Sequence, residues 1–398
     1  MKSYILIHYG EIGLKKANAD YYIGKLRKNI KLKLEKRFRK TFSVKYTLGR
    51  ILVKLPDNFS LKRHKEKYVE VLNKVCGIKN YKFVFAGSLD IKKLSNQIFE
   101  NLPDFIFDSK EKPDSFRVKV KRSMVLPYKS YEIEGEIGAN LLKNEIDISV
   151  KMKDPEFVVD IEFFNNYGYF SFKKHEGIGG FPSNSQGKLV SLISAGIDSP
   201  VAAFLLMKRG ARIIFVHFHG YPYTDKNEME QSKELIKILS EYQFDTKVYI
   251  IPFGNIQKKI ATNLEIPGKV RTILYRRIML RIAEKISKKE KTNGIVTGDN
   301  FGQVASQTPE NIFAIHDVSN IPVFQPLIGY DKEEIIKIAE KIGTFKISKL
   351  PCKESCTMFM PKKPELRANV MNIREYEGNI PIDNMIGKSL ENSKIINF

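Results

Sequence analysis

The segment Leu192-Ile193-Ser194-Ala195-Gly196-Ile197-Asp198-Ser199-Pro200 holds the densest chemistry in this sequence. A short apolar run, residues 189–193, leads into it and reads as a buried strand. A helical pattern over residues 200–210 leads out, with Pro200 in the first turn and Gly210 past the end. Small residues between a strand and a helix N-terminus leave backbone N–H groups free to face an anion, most often phosphate, and the helix dipole adds positive potential. The spacing lacks the Gly-Lys-Ser/Thr of a Walker A loop and the three spaced glycines of a dinucleotide loop. Two later apolar strands end in His217-Phe218-His219 and Gly298-Asp299-Asn300. Ligands of an open parallel sheet bind at the carboxyl ends of its strands, so these segments are expected to converge on the loop. Arg271, Arg276, Arg277 and Arg281 share one helix, and Arg277 and Arg281, four apart, share a face. Ion pairs within the fold are the ordinary use of most such arginines.

Cys352 and Cys356 form a second group, in Leu350-Pro351-Cys352-Lys353-Glu354-Ser355-Cys356. A redox couple, two ligands of a metal or cluster, and two ordinary thiols are all open for them. The neighbouring Lys349 and Lys353 favour thiolate. Neither a further cysteine pair nor a His-x-x-x-His accompanies them, which argues against a closed tetrahedral zinc site. The third cysteine, Cys76, reads as a small buried hydrophobe, and three cysteines make no disulfide framework.

The elements that must position these groups follow from periodicity. From residue 188 onward strands (189–193, 212–218, 247–252, 294–297 and near 322–325) alternate with helices (201–208, 228–242, 271–287 and 332–342), which predicts a doubly wound parallel sheet. Asp331 and Glu334 form a near capping box for the last helix, and Gly343 stops it. Residues 362–398 show weak periodicity and receive no assignment. The first third orders strand (4–7), helix from Tyr21, strands (43–46, 50–54), helix (62–75) and strand, a ferredoxin-like unit. Its first helix sets Ile23, Leu26, Ile30, Leu34 and Phe38 on one face and carries Lys25 and Lys28 among many other cations. A solvated face and a nucleic-acid face are both open for that run. A second unit carries a helix at 90–102, a strand at 115–120 running into Lys119, Lys121 and Arg122, a helix at 131–142 and a strand at 156–163. Gly177, Gly179, Gly180, Pro182 and Gly187 then mark a linker. The expected domains are 1–78, 79–174 and 175–398.

The 398 residues carry 67 Lys and Arg against 45 Asp and Glu, a net charge of +22. That excess points to a polyanionic partner, nucleic acid before an anionic membrane. No apolar run reaches the roughly 18 residues of a membrane span, and no signal-peptide pattern opens the chain, so a cytoplasmic location is expected.

The loop resembles the pyrophosphate loop (PP-loop), Ser-Gly-Gly-x-Asp-Ser, of enzymes that adenylate a substrate with ATP. Ala195 stands at its first Gly, where a positive φ would be strained. With Tyr9-Gly10-Glu11-Ile12-Gly13-Leu14-Lys15, Gly179-Gly180-Phe181-Pro182, Val216-His217-Phe218-His219, Arg276-Arg277, Thr297-Gly298-Asp299-Asn300 and the run from Gly302 to Thr308, the chain is similar over residues 1–365 to the ThiI-type tRNA 4-thiouridine synthetases. The resemblance implies an N-terminal ferredoxin-like domain, a THUMP domain that binds RNA, a catalytic PP-loop domain, and a homodimer bridged by tRNA. It implies ATP contacts at Leu192, Ile193, Ser194, Ala195, Gly196, Asp198, Ser199, His217, Phe218, Arg276, Gly298 and Gln307, with Mg²⁺ as cofactor. Asp198 would organise the metal or orient the loop. RNA contacts are expected at Lys25, Lys28, Lys119, Lys121 and Arg122. Cys356 matches the sulfur-carrying cysteine, and Cys352 would resolve its persulfide, with an iron–sulfur cluster on the two as the alternative. Asp299-Asn300 replaces the usual Glu-Ser. The form expected lacks a rhodanese domain, which leaves the sulfur donor open between a desulfurase persulfide, sulfide and a carrier. A role in supplying sulfur for the thiamin thiazole is open as well. Two rivals remain: a PP-loop ligase or amidotransferase acting on a small molecule, and a non-catalytic RNA-binding protein.

Overall fold

The computed structural model describes every residue except 58, 109–112, 144–147, 225, 352–358, 360 and 362, and the side chains of 61–62 and 104–108. The chain forms two units, Met1–Pro182 and Ser183–Phe398.

The first unit runs β1 (Ser3–Tyr9), α1 (Ala19–Phe38), β2 (Val44–Thr47), β3 (Arg50–Lys54), α2 (Leu61–Leu72), β4 (Ile78–Gly87), α3 (Ile91–Asp108), β5 (Ser115–Arg122), α4 (Ser130–Lys143), β6 (Ser149–Val150), β7 (Phe157–Phe164), β8 (Tyr167–Ser171) and β9 (Lys174–Glu176). All nine strands share one sheet in the order β2-β3-β1-β4-β8-β7-β5-β6, with β9 beside β4. The ten-residue β4 joins its halves, pairing with β1 along its length and with β8 at its end, Phe85 opposite Phe170. β1 is apolar at successive positions because both faces are covered. Ile5 and Ile7 pack with Ile23, Leu26, Ile30 and Leu34 of α1, whereas Leu6 packs with Phe164 and Tyr169 of the second half.

A buried ion cluster also ties the two halves. Glu162 on β7 accepts from Arg50 Nε at 2.6 Å and Lys82 Nζ at 3.0 Å, and lies 3.2 Å from His8 Nε2. Burial would raise its carboxyl; the His8, Lys82 and Arg50 contacts outweigh burial and hold it well below the usual range. The glycine-rich segment expected to be a linker is partly tied down. β9 opens it, and the Gly177 amide donates to the Lys79 carbonyl. A Cβ on Gly177 would sit 2.2 Å from the Ile78 carbonyl oxygen, so the approach requires glycine.

The second unit runs β10 (Lys188–Leu192), α5 (Asp198–Lys208), β11 (Arg212–His219), α6 (Asn227–Ser240), β12 (Lys247–Pro252), α7 (Gly254–Thr262), α8 (Arg271–Glu290), β13 (Ile295–Val296), α9 (Pro309–His316), β14 (Val323–Phe324), α10 (Lys332–Ile342), α11 (Phe345–Ser348), α12 (Val370–Gly378), α13 (Ile382–Glu391) and β15 (Lys394–Asn397). Strand order is β14-β13-β10-β11-β12-β15, parallel throughout except for β15 against β12. The chain leaves β10 in one direction through β11 and β12, then crosses to β13 on the other side. The switch point therefore lies between β10 and β13, where a ligand crevice is expected. The capping box of α10 forms as expected, and Gly343 closes the helix at φ +83°. The unassigned tail folds: Ile373 of α12 and Met385 and Ile386 of α13 are buried in the same core as α8. Among the described residues no helix is long and apolar enough to cross a membrane.

Candidate active site

The loop between β10 and α5 is held by its own small side chains. Ser199 Oγ accepts from the Ser194 amide at 2.9 Å, closing the loop across five residues, and Ser194 Oγ accepts from the Gly196 amide at 3.2 Å. Ala195 is buried and lies outside the positive-φ region, so the methyl that replaces glycine there carries no backbone strain. Gly298, after β13, approaches the start of α5 so closely that a Cβ would lie 2.7 Å from the Ser199 nitrogen. Only glycine lets the two segments meet, and that meeting forms the back of the crevice.

A cavity of about 430 Å³ opens there. Of the residues expected to meet ATP, Leu192, Ile193, Ser194, Gly196, Asp198 and Ser199 form one wall, and Phe218, Arg276, Gly298 and Gln307 complete it. Ala195 and His217 stand behind that wall. The His217 ring is fully buried, and its Nδ1 donates to the Ile193 carbonyl at 3.0 Å, which fixes the strand end. Burial first, then the nearby His219 and Lys233, push its pKa down to about 4 against the opposing hydrogen bond to Ile193, so the ring is neutral. His217 therefore supports the site from below.

Asp299 is the electrostatic centre of the opposite side. Its carboxylate, 4 % exposed, accepts from the Arg276 guanidinium, from Thr297 Oγ1 at 2.8 Å and from the amides of Gln325 at 3.3 Å and Gln307 at 3.4 Å. Burial would raise this carboxyl, but Arg276 and the hydroxyl and amide donors hold it below the usual range. An ionised Asp299 in turn fixes the two side chains, Arg276 and Gln307, that face the cavity. Arg276 also donates to Ser306 Oγ at 3.2 Å. Arg277 and Arg281 serve the fold, both clasping Glu377 of α12. Asp198 begins α5, where an acid complements the helix dipole, and pairs with Lys332 Nζ at 2.7 Å.

Several lining residues carried no signal in the sequence. Thr272, Ile273, Tyr275 and Met279 of α8 line the cavity with Glu228 and the Lys269–Glu365 ion pair, 2.7 Å apart. Thr272 Oγ1 and Gln307 Oε1 are sealed from solvent without a hydrogen-bond partner. Buried polar atoms are normally satisfied, so these two fit a polar ligand in the cavity. Loop amides, apolar side chains from α8 and a clamped arginine together suit a nucleotide's phosphates and base. Among the described residues no cluster of three His, Cys, Asp or Glu is arranged to hold a metal. Cys352 and Cys356 lie outside the described residues. Of the expected RNA contacts, Lys28 on α1 and Lys119 and Lys121 on β5 are exposed and Lys25 is half-buried. Arg122 is exposed too, but it donates to Ser130 Oγ at 3.1 Å and the Tyr128 carbonyl at 2.5 Å, bracing the turn before α4.

Comparison with known proteins matches three stretches of the chain. Residues 4–81 match the ThiI ferredoxin-like domain, 91–172 the THUMP domain, and 184–382 the family described as thiamine biosynthesis protein (ThiI). A "Probable tRNA sulfurtransferase" of Acetivibrio thermocellus is 36 % identical over 398 residues, covering 100 % of this chain and 99 % of the relative. One of Halothermothrix orenii is 37 % identical, with 100 % and 99 % covered. Among solved structures, a 4-thiouridine synthetase–RNA complex with bound ATP superposes with a TM-score of 0.88, at 32 % identity and with 100 % of both chains covered. A protein of Pyrococcus horikoshii shares the fold, with a TM-score of 0.64 at 22 % identity over 86 % of this chain and 100 % of that one.

Proposed function

This chain belongs to the ThiI family, and from that premise we propose a two-step reaction at the β10–β13 crevice. The protein is an ATP-dependent tRNA sulfurtransferase that turns a tRNA uridine, position 8 by family resemblance, into 4-thiouridine through an adenylated intermediate. The single observation that carries the reading is the crevice itself: the β10–α5 loop on one wall faces a carboxylate-clamped Arg276 on the other.

ATP lies across the strand ends with its phosphates at the β10–α5 loop and the N-terminus of α5 and its base against the apolar side chains of α8. Uridine O4 attacks the α-phosphorus as the N3 proton is lost, and pyrophosphate leaves. The loop N–H groups and Arg276 stabilise the charge that develops on the phosphoryl oxygens. Magnesium, when bound, neutralises phosphate charge. Asp198, at the mouth of the loop, is the residue suited to orient it. The terminal sulfur of a Cys356 persulfide then attacks C4, and AMP departs with the former O4. The Cys352 thiolate attacks the Cys356 sulfur, which leaves a Cys352–Cys356 disulfide and the thiocarbonyl; a cellular thiol reductant reopens the disulfide.

The reading also includes RNA contacts at Lys25, Lys28, Lys119, Lys121 and Arg122 and a cytoplasmic location, supported by the charge and sequence pattern, and a homodimer bridged by tRNA and domains at 1–78, 79–174 and 175–398, supported by the family resemblance. A persulfide from a cysteine desulfurase is the donor class that fits Cys356, and the same sulfur can serve the thiamin thiazole.

The test separates the half-reactions. Cys356→Ser is expected to release pyrophosphate from ATP with tRNA present and to form no 4-thiouridine from a persulfide donor. Cys352→Ser is expected to be milder: an added thiol can release the first product from the Cys356 adduct in its place, and the next turnover is slowed. Normal thiolation by Cys356→Ser removes Cys356 from the chemistry. Loss of a visible absorbance band in both variants, measured anaerobically, replaces the redox pair with a cluster.

A further inference from the structure

A second cavity, about 440 Å³, lies at the carboxyl end of the same sheet, and the reaction above leaves it unused. It backs onto the first. Phe218 lines the ATP crevice and His219 the second cavity; on α6, Glu228 lines the first and Met229 the second. Consecutive strand residues point to opposite faces, so one strand and one helix turn separate the two spaces.

The walls differ in character. Met229, Ile250 and Ile396 give an apolar floor, and three lysines, 226, 233 and 394, line the same cavity. Lys226 Nζ stands 5.2 Å from the centre of the Tyr221 ring. Lys394 opens β15 opposite Ile250. Neither Lys226 nor Lys394 has a carboxylate partner among the described residues, whereas Lys233 pairs with Glu230 at 2.7 Å. His219 Nδ1 is sealed from solvent and has no hydrogen-bond partner. Unpaired cations beside an exposed aromatic ring, an apolar floor and an unsatisfied imidazole nitrogen suit a nucleotide: phosphate for the lysines, base for the ring and floor.

We propose that this cavity receives a nucleotide adjacent to the uridine that enters the ATP crevice. The proposal rests on the tRNA sulfurtransferase reading. Drawing a base out of its stack costs a few kcal/mol, and a seat for its neighbour one wall away offsets that cost.

The experiment uses the full-length protein and substrate tRNA. Lys226→Ala combined with Lys394→Ala is expected to weaken tRNA binding by about tenfold and to lower the slope of log affinity against log salt by about two. ATP binding measured without tRNA should stay at the wild-type value. The Lys226→Arg/Lys394→Arg pair keeps the charge and should keep the affinity; if it weakens binding as the alanine pair does, the proposal fails. A tRNA abasic at the nucleotide next to the uridine should bind wild type more weakly yet lose nothing further with Tyr221→Ala, because the two changes remove one contact. Unchanged tRNA affinity and slope in the alanine pair overturn the proposal, as does a defect confined to sulfur delivery from a protein donor, which would make the cavity a protein-docking site. A wild-type protein that binds no tRNA sinks the functional reading itself.

Discussion

At Gly298 a missing side chain does the positioning: the backbone after β13 touches the start of α5, and the phosphate loop inherits its depth from that contact. His217 acts from behind the same loop. Burial keeps the ring neutral, with the pKa near 4, and its Nδ1–H is held on the Ile193 carbonyl. In the unfolded chain the same ring titrates near 6.5. Acid therefore protonates the unfolded chain first, and stability present above pH 6.5 is lost as pH falls towards 4, by up to about 3 kcal/mol for a shift of this size. His217→Asn keeps an N–H at the Nδ1 position and has no titration. Urea unfolding followed from pH 7 to pH 4 should show a shallower loss in the variant than in wild type. Equal pH slopes would remove His217 from the acid sensitivity.

Among the elements, α8 does two jobs with successive arginines. Arg276 turns into the crevice towards Asp299; Arg277, 1 % exposed, turns into the core and donates to Glu377 at 2.8 and 2.9 Å. Arg281, one turn on, reaches the same carboxylate, and Arg277 also lies 3.2 Å from Asp317, which in turn holds Arg374. Burial would raise the Glu377 carboxyl, and the two arginines hold it below the usual range. The cluster docks α12 onto the helix that carries Arg276. Removing one partner of a buried pair leaves an uncompensated charge, at a cost of about 3–5 kcal/mol. Glu377→Gln should lower the unfolding free energy of the second unit by that amount in urea titration, and a loss under about 1 kcal/mol would show the cluster to be dispensable.

For the whole molecule, the continuous nine-stranded sheet makes Met1–Pro182 a unit with its own cores, while its positive charge is concentrated on α1, α2 and β5. A fragment of residues 1–182, which retains β9 and the Gly177 contact, should fold and bind tRNA with strongly salt-dependent affinity. It should prefer folded RNA over DNA duplex of equal length, because A-form shape and 2′-hydroxyls are read as well as charge. Filter binding at physiological salt measures both; equal affinities would leave charge alone as the cause.

What the sequence determined by itself was local. The strand–loop–helix around Ser194–Ser199, the ferredoxin-like order at the start, the α/β alternation after residue 188 and the Asp331–Glu334 capping box each depend on neighbours within a turn or two, where propensity and periodicity act directly. Ser194, Asp198, Ser199, Phe218, Gly298 and Asp299 were legible as neighbours because strand ends in a parallel sheet must converge. The tertiary structure decided the rest. Glu377 meets Arg277 across 100 residues of sequence, and no local pattern encodes that distance. β15 exists because β12 offers an edge, so its four residues carried too little periodicity to be assigned. Thr272, Tyr275 and Met279 look like core in any helical reading. They became cavity wall only because the β10–β13 switch point left the space beside them unfilled.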